Sequence, residues 1–426
     1  MTISAPTPAE ALAAPREFAI YSVSKDGKDG TVDASAFEKA VSHYGCKACG
    51  ALPTSFAEFA AALKKPSSVE SPSGEGDAVG LAAYERGAEV KPLRFSRRAV
   101  GPTDVRIEIL YCGICHSDVH QIDNDWGQSS YPFVPGHEIV GVVTEVGSAV
   151  TKFAVGSRAA VGCMVSSCGE CPACKRGEEQ LCRKGPIWTY LSTDETGQVT
   201  QGGYSTQLVV REDFALRFPE AVPLDAGAPL LCAGITTYSP LVHFGLAGKR
   251  VGVLGLGGLG HIAVKLAKAM GCHVTVISTS PSKKKEAIEH LGADAFLISK
   301  DAEAMAGAAH SLDGILNLAP VALDLSLYLP LLDDDGYFIY LGIPSTTTTL
   351  VHGPLVAHRI RITGSPIGSI KQTQEMLDFC AEHGVACDVE VVKADYVNQA
   401  IERLKKNDVR YRFVIDIGAS LIDESN

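Results

Sequence analysis

Four cysteines fall within fifteen positions: Cys168, Cys171, Cys174 and Cys182, spaced C-x2-C-x2-C-x7-C. Few sequence features restrict a fold more. A tetrahedral Zn2+ needs four soft ligands converging on one point, and short C-x2-C steps let successive thiolates turn inward onto it. The chain supplies all four positions, so such a site is closed. It holds a lobe in shape and leaves no place for a substrate. Disulfide pairing and unbonded buried thiols are the competing readings. Thirteen cysteines in 426 residues, several at metal spacing, suit a reducing compartment better than a disulfide scaffold. A zinc enzyme would need a second, open site elsewhere.

The length allows two or three domains with sizeable cores. A net charge of −11 with no basic stripe argues against nucleic acid and anionic membrane surfaces as partners. No run approaches eighteen apolar residues, so no transmembrane helix is expected. Residues 1–20 lack a charged stretch followed by an apolar one, the order of a secretory signal. The expected location is cytoplasmic, with organelle targeting by the Ala/Pro-rich start left open.

Residues 1–76 form an extension of mixed character, with a Ser/Pro/Gly-rich linker near 66–77. Apolar spacing predicts short amphipathic helices at 31–44 and 55–65. Asp26, Asp29, Gly30 and Asp33 hint at a calcium loop, but the register puts Lys25 at the first ligand position and Ala36 where a bidentate Glu belongs. His43, Cys46 and Cys49 make only half a metal site. From 78 onward the composition is that of a compact enzyme. Strands are predicted at 104–110 and 139–146, with short β segments continuing to about 222. Strand–helix alternation follows: strands at 250–254, 274–278, 315–318 and 337–341, helices at 258–270 and 283–290. That rhythm means a parallel sheet with crossover helices. The chain closes on a strand at 411–417.

Gly255, Gly257 and Gly260 form G-x-G-x-x-G, with Leu256, Gly258 and Leu259 between them. Alone the pattern is weak; following a strand and opening a helix, it reads as a dinucleotide loop. The glycines allow the turn, the approach of a pyrophosphate and helix packing, and the helix N-terminus faces the phosphates. The next strand ends in Ser278, Thr279 and Ser280, followed by Lys283 and Lys284, where a ribose-binding acid would sit in an NAD site. Hydroxyls and cations would hold a 2′-phosphate, so NADP(H) is expected. The alternative is that the lysines are a solvated first helical turn.

Cys115 and Asp118 lie just after the first lobe strand, His137 and Glu138 about twenty residues on, and Cys232 at the end of the lobe. Two cysteines and one histidine make an open zinc set. By spacing alone, His137 or Cys232 is as well read as a buried core residue.

Longer motifs carry a resemblance. They are CGICHSDVH at 112–120, PGHEIVGVV at 135–143, GCMVSSCGECPACKRGEEQLC at 162–182, KGPIWTY at 184–190 and QGGYS at 201–205. LLCAGITTYSPL at 230–241, GLGGLGH at 255–261 and KKNDVRYRFVID at 405–416 complete them. The chain resembles the zinc-dependent medium-chain alcohol dehydrogenases, most closely the cinnamyl alcohol dehydrogenase group, from about 78 to the C-terminus. The resemblance implies an α/β fold with a GroES-like β-rich catalytic domain at 77–232 and 367–426 and a doubly wound Rossmann domain at 233–366. It implies two Zn2+ per chain. Cys115, His137 and Cys232 would hold the catalytic ion, with Glu138 able to take the fourth position, and Cys168, Cys171, Cys174 and Cys182 the structural one. Asp118 would orient His137; Ser117 and His120 would relay a proton; Cys112 and Cys163 match no ligand position. It further implies a homodimer joined through the cofactor domains.

The expected activity is NADP(H)-linked interconversion of primary alcohols and aldehydes, aromatic, allylic or medium-chain, in an interdomain cleft. Trp126 and Trp188 fall where the family lines its pocket, although tryptophan is usually largely buried in a core. Pro366 replaces an aromatic residue common in plant members, which suggests broader aldehyde use. Two readings compete. A polyol dehydrogenase of the same superfamily is disfavoured by GCMVSSC and by the missing acid after Ile277. A non-catalytic NADPH-binding regulator is disfavoured because such relatives usually lose the zinc ligands.

Overall fold

The computed structural model describes residues 75–343, 348, 350 and 352–421. The helices expected at 31–44 and 55–65, the loop at 26–36, the group His43, Cys46 and Cys49, and the linker before 75 lie outside the described residues.

Strands β1 (Ala78–Ala82) and β2 (Lys91–Phe95) form an antiparallel ribbon. The main sheet of this lobe is built on β3 (Asp104–Ile114), β4 (Ile139–Val146) and β5 (Arg158–Val161). A second ribbon joins β6 (Met164–Ser166) to β7 (Ile187–Trp188). β8 (Gln207–Arg211), β9 (Leu216–Arg217), β16 (Val389–Val392) and β17 (Arg412–Asp416) complete the sheet in the order β16-β17-β3-β4-β5-β9, with β8 also on β3.

β3 outruns its predicted end by four residues. Val105, Ile107 and Ile109 alternate inward as period-2 patterning requires. The pairing with β4 then shifts between Ile109 and Tyr111. A bulge of this kind resets which face a side chain takes. Cys112 and Ile114 are therefore buried out of phase with the first half, and the alternation readable in the sequence stops where the bulge begins.

The second sheet has six parallel strands: β10 (Arg250–Leu254), β11 (His273–Ser278), β12 (Ala295–Ile298), β13 (Leu312–Asn317), β14 (Leu332–Tyr340) and β15 (Arg361–Gly364). Their order is β12-β11-β10-β13-β14-β15. The order reverses between β10 and β13, which makes their carboxyl ends the expected binding crevice. β13 and β14 begin earlier than predicted. Asp313 and Asp333 hide the strand pattern, and both pair with Arg250 at the sheet's amino end. The helix expected at 283–290 is a 3-10 turn at Pro281–Lys283 and a wide turn at Glu286–His290, where Leu291 N donates to Glu286 O.

Four helices of seven to fourteen residues position the site: α1 (His116–Ile122), α2 (Ala233–His243), α3 (Gly258–Ala269) and α4 (Ile370–His383). α2 is buried from Ala233 through Leu241, so it needs no polar face. It lies in a core that runs from Val140, Ala160 and Leu216 through Leu231 and Ile235 to Val251, Val253, Met376 and Leu377. One continuous apolar core therefore joins both sheets. No helix of the described residues is long and apolar enough to cross a membrane.

Candidate active site and metal centres

The open donor set is assembled by local geometry first. Cys115 is the N-cap of α1: its Sγ accepts from Ser117 N at 3.5 Å, while Asp118 Oδ2 reaches back to Cys115 N at 2.9 Å. This is a capping box with cysteine in the place usually taken by Ser or Thr. Asp118 is fully buried and accepts from three more groups: Gly136 N at 3.0 Å, Tyr204 OH at 3.2 Å and His137 Nδ1 at 3.2 Å. A carboxylate only accepts, so His137 carries its proton on Nδ1 and keeps the Nε2 lone pair for a metal. Burial alone would depress the His137 pKa, but the Asp118 charge outweighs it and raises it well above its ordinary value, so a metal binding at Nε2 would displace a proton there.

Cys115, His137, Glu138 and Cys232 are all buried, and one donor atom from each lies within 4.8 Å of the others. Cys232 enters from the junction between a 3-10 turn and α2, 117 positions from Cys115. The two sulfurs stand 3.9 Å apart. Two thiolates on one tetrahedral zinc would be separated by about 3.8 Å, given Zn–S distances near 2.3 Å. The donor set thus fits Zn2+. The hydrogen bond with Cys232 holds the Cys115 thiol well below its ordinary range and pushes Cys232 up.

Glu138 is fully buried, and its Oε1 accepts from Arg412 Nη2 of β17. Burial raises its pKa to about 7 against the pull of that guanidinium. Its second oxygen, Oε2, has no partner. A Cβ at Gly113 would collide with Oε2, so this glycine supplies the room in which the carboxylate sits. An unsatisfied buried carboxylate oxygen is costly; a cation in the quartet would satisfy it.

The four cysteines of the closed spacing also converge, with donors within 4.8 Å of one another. Cys168 and Cys174 sulfurs are 3.8 Å apart, and those of Cys171 and Cys174 are 3.5 Å apart. Arg183 N donates to Cys171 Sγ at 3.4 Å, and Cys171 N to Cys168 Sγ at 3.4 Å. Backbone N–H groups on the sulfur lower the Cys171 pKa to about 6, which favours the thiolate a metal requires. Of the two motif thiols that match no ligand position, Cys112 is buried in the lobe core. Cys163 is half-buried beside the open quartet, its Sγ 3.8 Å from Leu231 O.

The pair expected to relay a proton is only partly assembled. Ser117 Oγ lies 3.6 Å from Cys115 Sγ, and His120 Nδ1 lies 2.7 Å from Asp125 Oδ2. No hydrogen bond among the described residues joins Ser117 to His120. Trp126 is 40% exposed, with its ring 5.2 Å from that of His120, and Trp188 is 42% exposed. Neither tryptophan is a core residue, which removes the packing alternative.

The glycine loop has the required geometry. Gly255 adopts φ +100°, open to glycine at little cost, and a Cβ at Gly260 would collide with Gly255 O. Nothing stands within 4 Å of a Cβ at Gly257, the N-cap of α3, and no side chain caps that helix. Leu256 is buried and Leu259 packs against the shared core. Lys283 Nζ donates to Leu256 O at 2.6 Å, which brings it across to the loop rather than into solvent. Ser278 is buried and its Oγ accepts from Ser280 N at 3.2 Å; Ser280 and Ser282 hydroxyls are 3.1 Å apart. Lys284 is exposed. At the strand-order switch, Asn317 Nδ2 is buried without a partner. Free helix N–H groups, an open Gly257 and this orphaned donor fit a dinucleotide.

Sequence reasoning missed Arg412, Tyr204 and Gly113. Each stands inside a motif noted above, but none carried a role. An arginine within the apolar run at 411–417 was the signal available: a buried guanidinium demands an anionic partner.

Comparison with known proteins identifies the family. The family model for the alcohol dehydrogenase GroES-like domain matches residues 101–220, and that for zinc-binding dehydrogenase matches 258–382. The 8-hydroxygeraniol dehydrogenase of Catharanthus roseus is 55% identical over 346 residues, 81% of this chain and 96% of the relative. A cinnamyl alcohol dehydrogenase structure from Sorghum bicolor superposes with TM-score 0.78 at 50% identity, covering 81% of this chain and 99% of that one. The Helicobacter pylori cinnamyl alcohol dehydrogenase, solved with NADP(H), gives TM-score 0.75 at 39% identity, with coverage of 81% and 99%. The chain belongs to the zinc-dependent medium-chain alcohol dehydrogenases, in the cinnamyl alcohol dehydrogenase group.

Proposed function

We propose that this alcohol dehydrogenase interconverts primary aromatic or allylic alcohols and their aldehydes with NADP(H), chiefly as an aldehyde reductase. The observation that carries this reading is the buried quartet of Cys115, His137, Glu138 and Cys232, whose Cys232 stands between Leu231 and Ala233 of the core that also holds Leu256 of the glycine loop. Residues 77–232 and 367–426 would form the metal-bearing lobe, and 233–366 the dinucleotide lobe. Cys115, His137 and Cys232 would hold the catalytic zinc, and Cys168, Cys171, Cys174 and Cys182 the structural one. Bound zinc supplies a Lewis acid that polarises an aldehyde and lowers the pKa of an alcohol. NADP(H) supplies the hydride chemistry.

The chain's own residues do the rest. Asp118 fixes the tautomer and orientation of His137. Arg412 opposes the neutralisation that burial favours and draws Glu138 to one side, its second oxygen left as an exchangeable donor. Ser117 sits against Cys115, where its hydroxyl would give a proton to the reacting oxygen in aldehyde reduction and take one in alcohol oxidation. His120, partly exposed and held by Asp125, would exchange that proton with solvent once a bound substrate and cofactor bridge it to Ser117. Exposed Trp126 and Trp188 offer apolar faces to the substrate. Ser278, Ser280 and Lys283 would hold the 2′-phosphate, with Lys283 already at the loop. The names of the 8-hydroxygeraniol and cinnamyl relatives support allylic and aromatic substrates. The edge strand β15, near the exposed Ile343 and Val356, supports a homodimer through the dinucleotide lobes.

NADPH oxidation over an aldehyde panel including cinnamaldehyde tests the assignment, with and without chelator. Turnover lost on chelation is expected; no turnover with any aldehyde would sink it. Equal kcat/KM with NADH and NADPH would overturn the cofactor choice.

A further inference from the structure

One residue outside every motif joins the two lobes at the cofactor helix. Asp388 lies just before β16. Its carboxylate accepts from Lys265 Nζ of α3 at 2.7 Å and faces His290 Nε2 at 3.0 Å. Its N–H donates to His261 Nε2 of α3 at 3.2 Å. His261 is fully buried and kept neutral, first by burial and then by Lys265, so its ring nitrogen is free to accept. The Asp388 carbonyl accepts from Tyr411 N at 2.9 Å and Arg412 N at 3.1 Å. His261 and Tyr411 also stack, with ring centroids 4.7 Å apart and planes 5° from parallel. A Cβ at Gly258, in the first turn of α3, would stand 3.0 Å from Arg412 Cδ and 3.2 Å from its Nη1. One aspartate thus holds α3 by side chain and amide, and β17 by its carbonyl. Arg412 is in turn tied to Glu138 of the metal quartet.

We infer that Asp388 is a positioning residue for the dinucleotide: it clamps α3 to β17 and so sets the helix N-terminus beside the Arg412 guanidinium, where the cofactor phosphates bind. The inference rests on the dinucleotide reading above. The physical reason is preorganisation. Helix N–H groups and a guanidinium bind an anion well only when their relative placement is fixed before binding. The Arg412–Glu138 pair lies within one lobe, so it survives loss of the clamp; the α3–Arg412 relation does not.

The test is NADPH titration of full-length, metal-loaded protein by fluorescence, with Asp388→Asn and, from the helix side, Lys265→Met. Both variants should weaken NADPH binding about tenfold, a loss on the scale of one charge-assisted hydrogen bond. Zinc content should stay at the wild-type value, and kcat at saturating NADPH should fall less than about threefold, the signature of a binding rather than a chemical defect. If Asp388→Asn does not fold, Lys265→Met alone decides. NADPH affinity within about twofold of wild type, or weakening matched by loss of zinc, overturns the role. Wild-type protein that binds no NADPH overturns the dinucleotide reading instead.

Discussion

The molecule holds two four-donor clusters of nearly equal compactness, built in opposite ways. The loop at 168–182 draws every donor from fifteen consecutive residues, and its apolar surroundings are only Cys171, Ala173 and Cys182, with Cys168 and Cys174 partly buried. The quartet at 115, 137, 138 and 232 draws donors from three remote segments, all buried. Its members are oriented by a capping box, a four-donor carboxylate and a buried guanidinium. A loop with so small a core needs its metal in order to fold. A quartet of buried donors, with Cys232 flanked by Leu231 and Ala233 of a core shared by two sheets, is held by the fold, which leaves its metal position available for chemistry.

The largest effect should come from the quartet. Cys115→Ser is expected to reduce turnover at least about 1000-fold while the protein stays folded, as for loss of a metal-borne catalytic group. Metal analysis should show one zinc retained. Loss of both ions would break the comparison. Next comes the pair behind the quartet. Arg412→Met strands Glu138 as an uncompensated buried charge and should cost about 3–5 kcal/mol in urea unfolding, with Glu138→Gln added in the double variant restoring part of it.

The closed loop should fail differently. Cys174→Ala should lower Tm by roughly 5–10 °C, with loss of one zinc, before turnover of the folded fraction changes. A proportional fall in kcat would show that the loop does more than hold shape.

A smaller signature belongs to the buried side alone. His261 is depressed to about 3, chiefly by burial, while the unfolded residue titrates near 6.5. Between those values the unfolded chain binds a proton that the folded chain refuses. The stability present above about 6.5 is therefore lost as pH falls toward about 3. His261→Gln should flatten that slope by up to about 1.4 kcal/mol per pH unit, read from urea midpoints across the range. The smallest effect is expected at the loop surface. Glu170 and Lys184 pair in full solvent, and Glu170→Gln should leave Tm and zinc content unchanged.

Much of this architecture could be read from local pattern. β4 and β10 begin and end where alternation and apolar runs placed them, and α3 opens on the glycine that its motif marks. The misses share a cause. β3 continues past a bulge that reverses its inward face, and β13 and β14 start among aspartates that a distant arginine neutralises. Period-2 reasoning cannot see either event, because each is settled by a partner strand or a remote charge.

The sequence by itself determined the closed cysteine loop, the dinucleotide turn and the family, because each is written in short continuous stretches of the chain. The family resemblance brought Cys232 to Cys115, 117 positions away, but only the tertiary structure decided that Arg412 faces Glu138 and that Asp388 ties the cofactor helix to that arginine. Those contacts join polar groups that lie far apart in the sequence. Their partners are chosen by the requirement that no buried charge be left alone, and that requirement acts through space rather than along the chain.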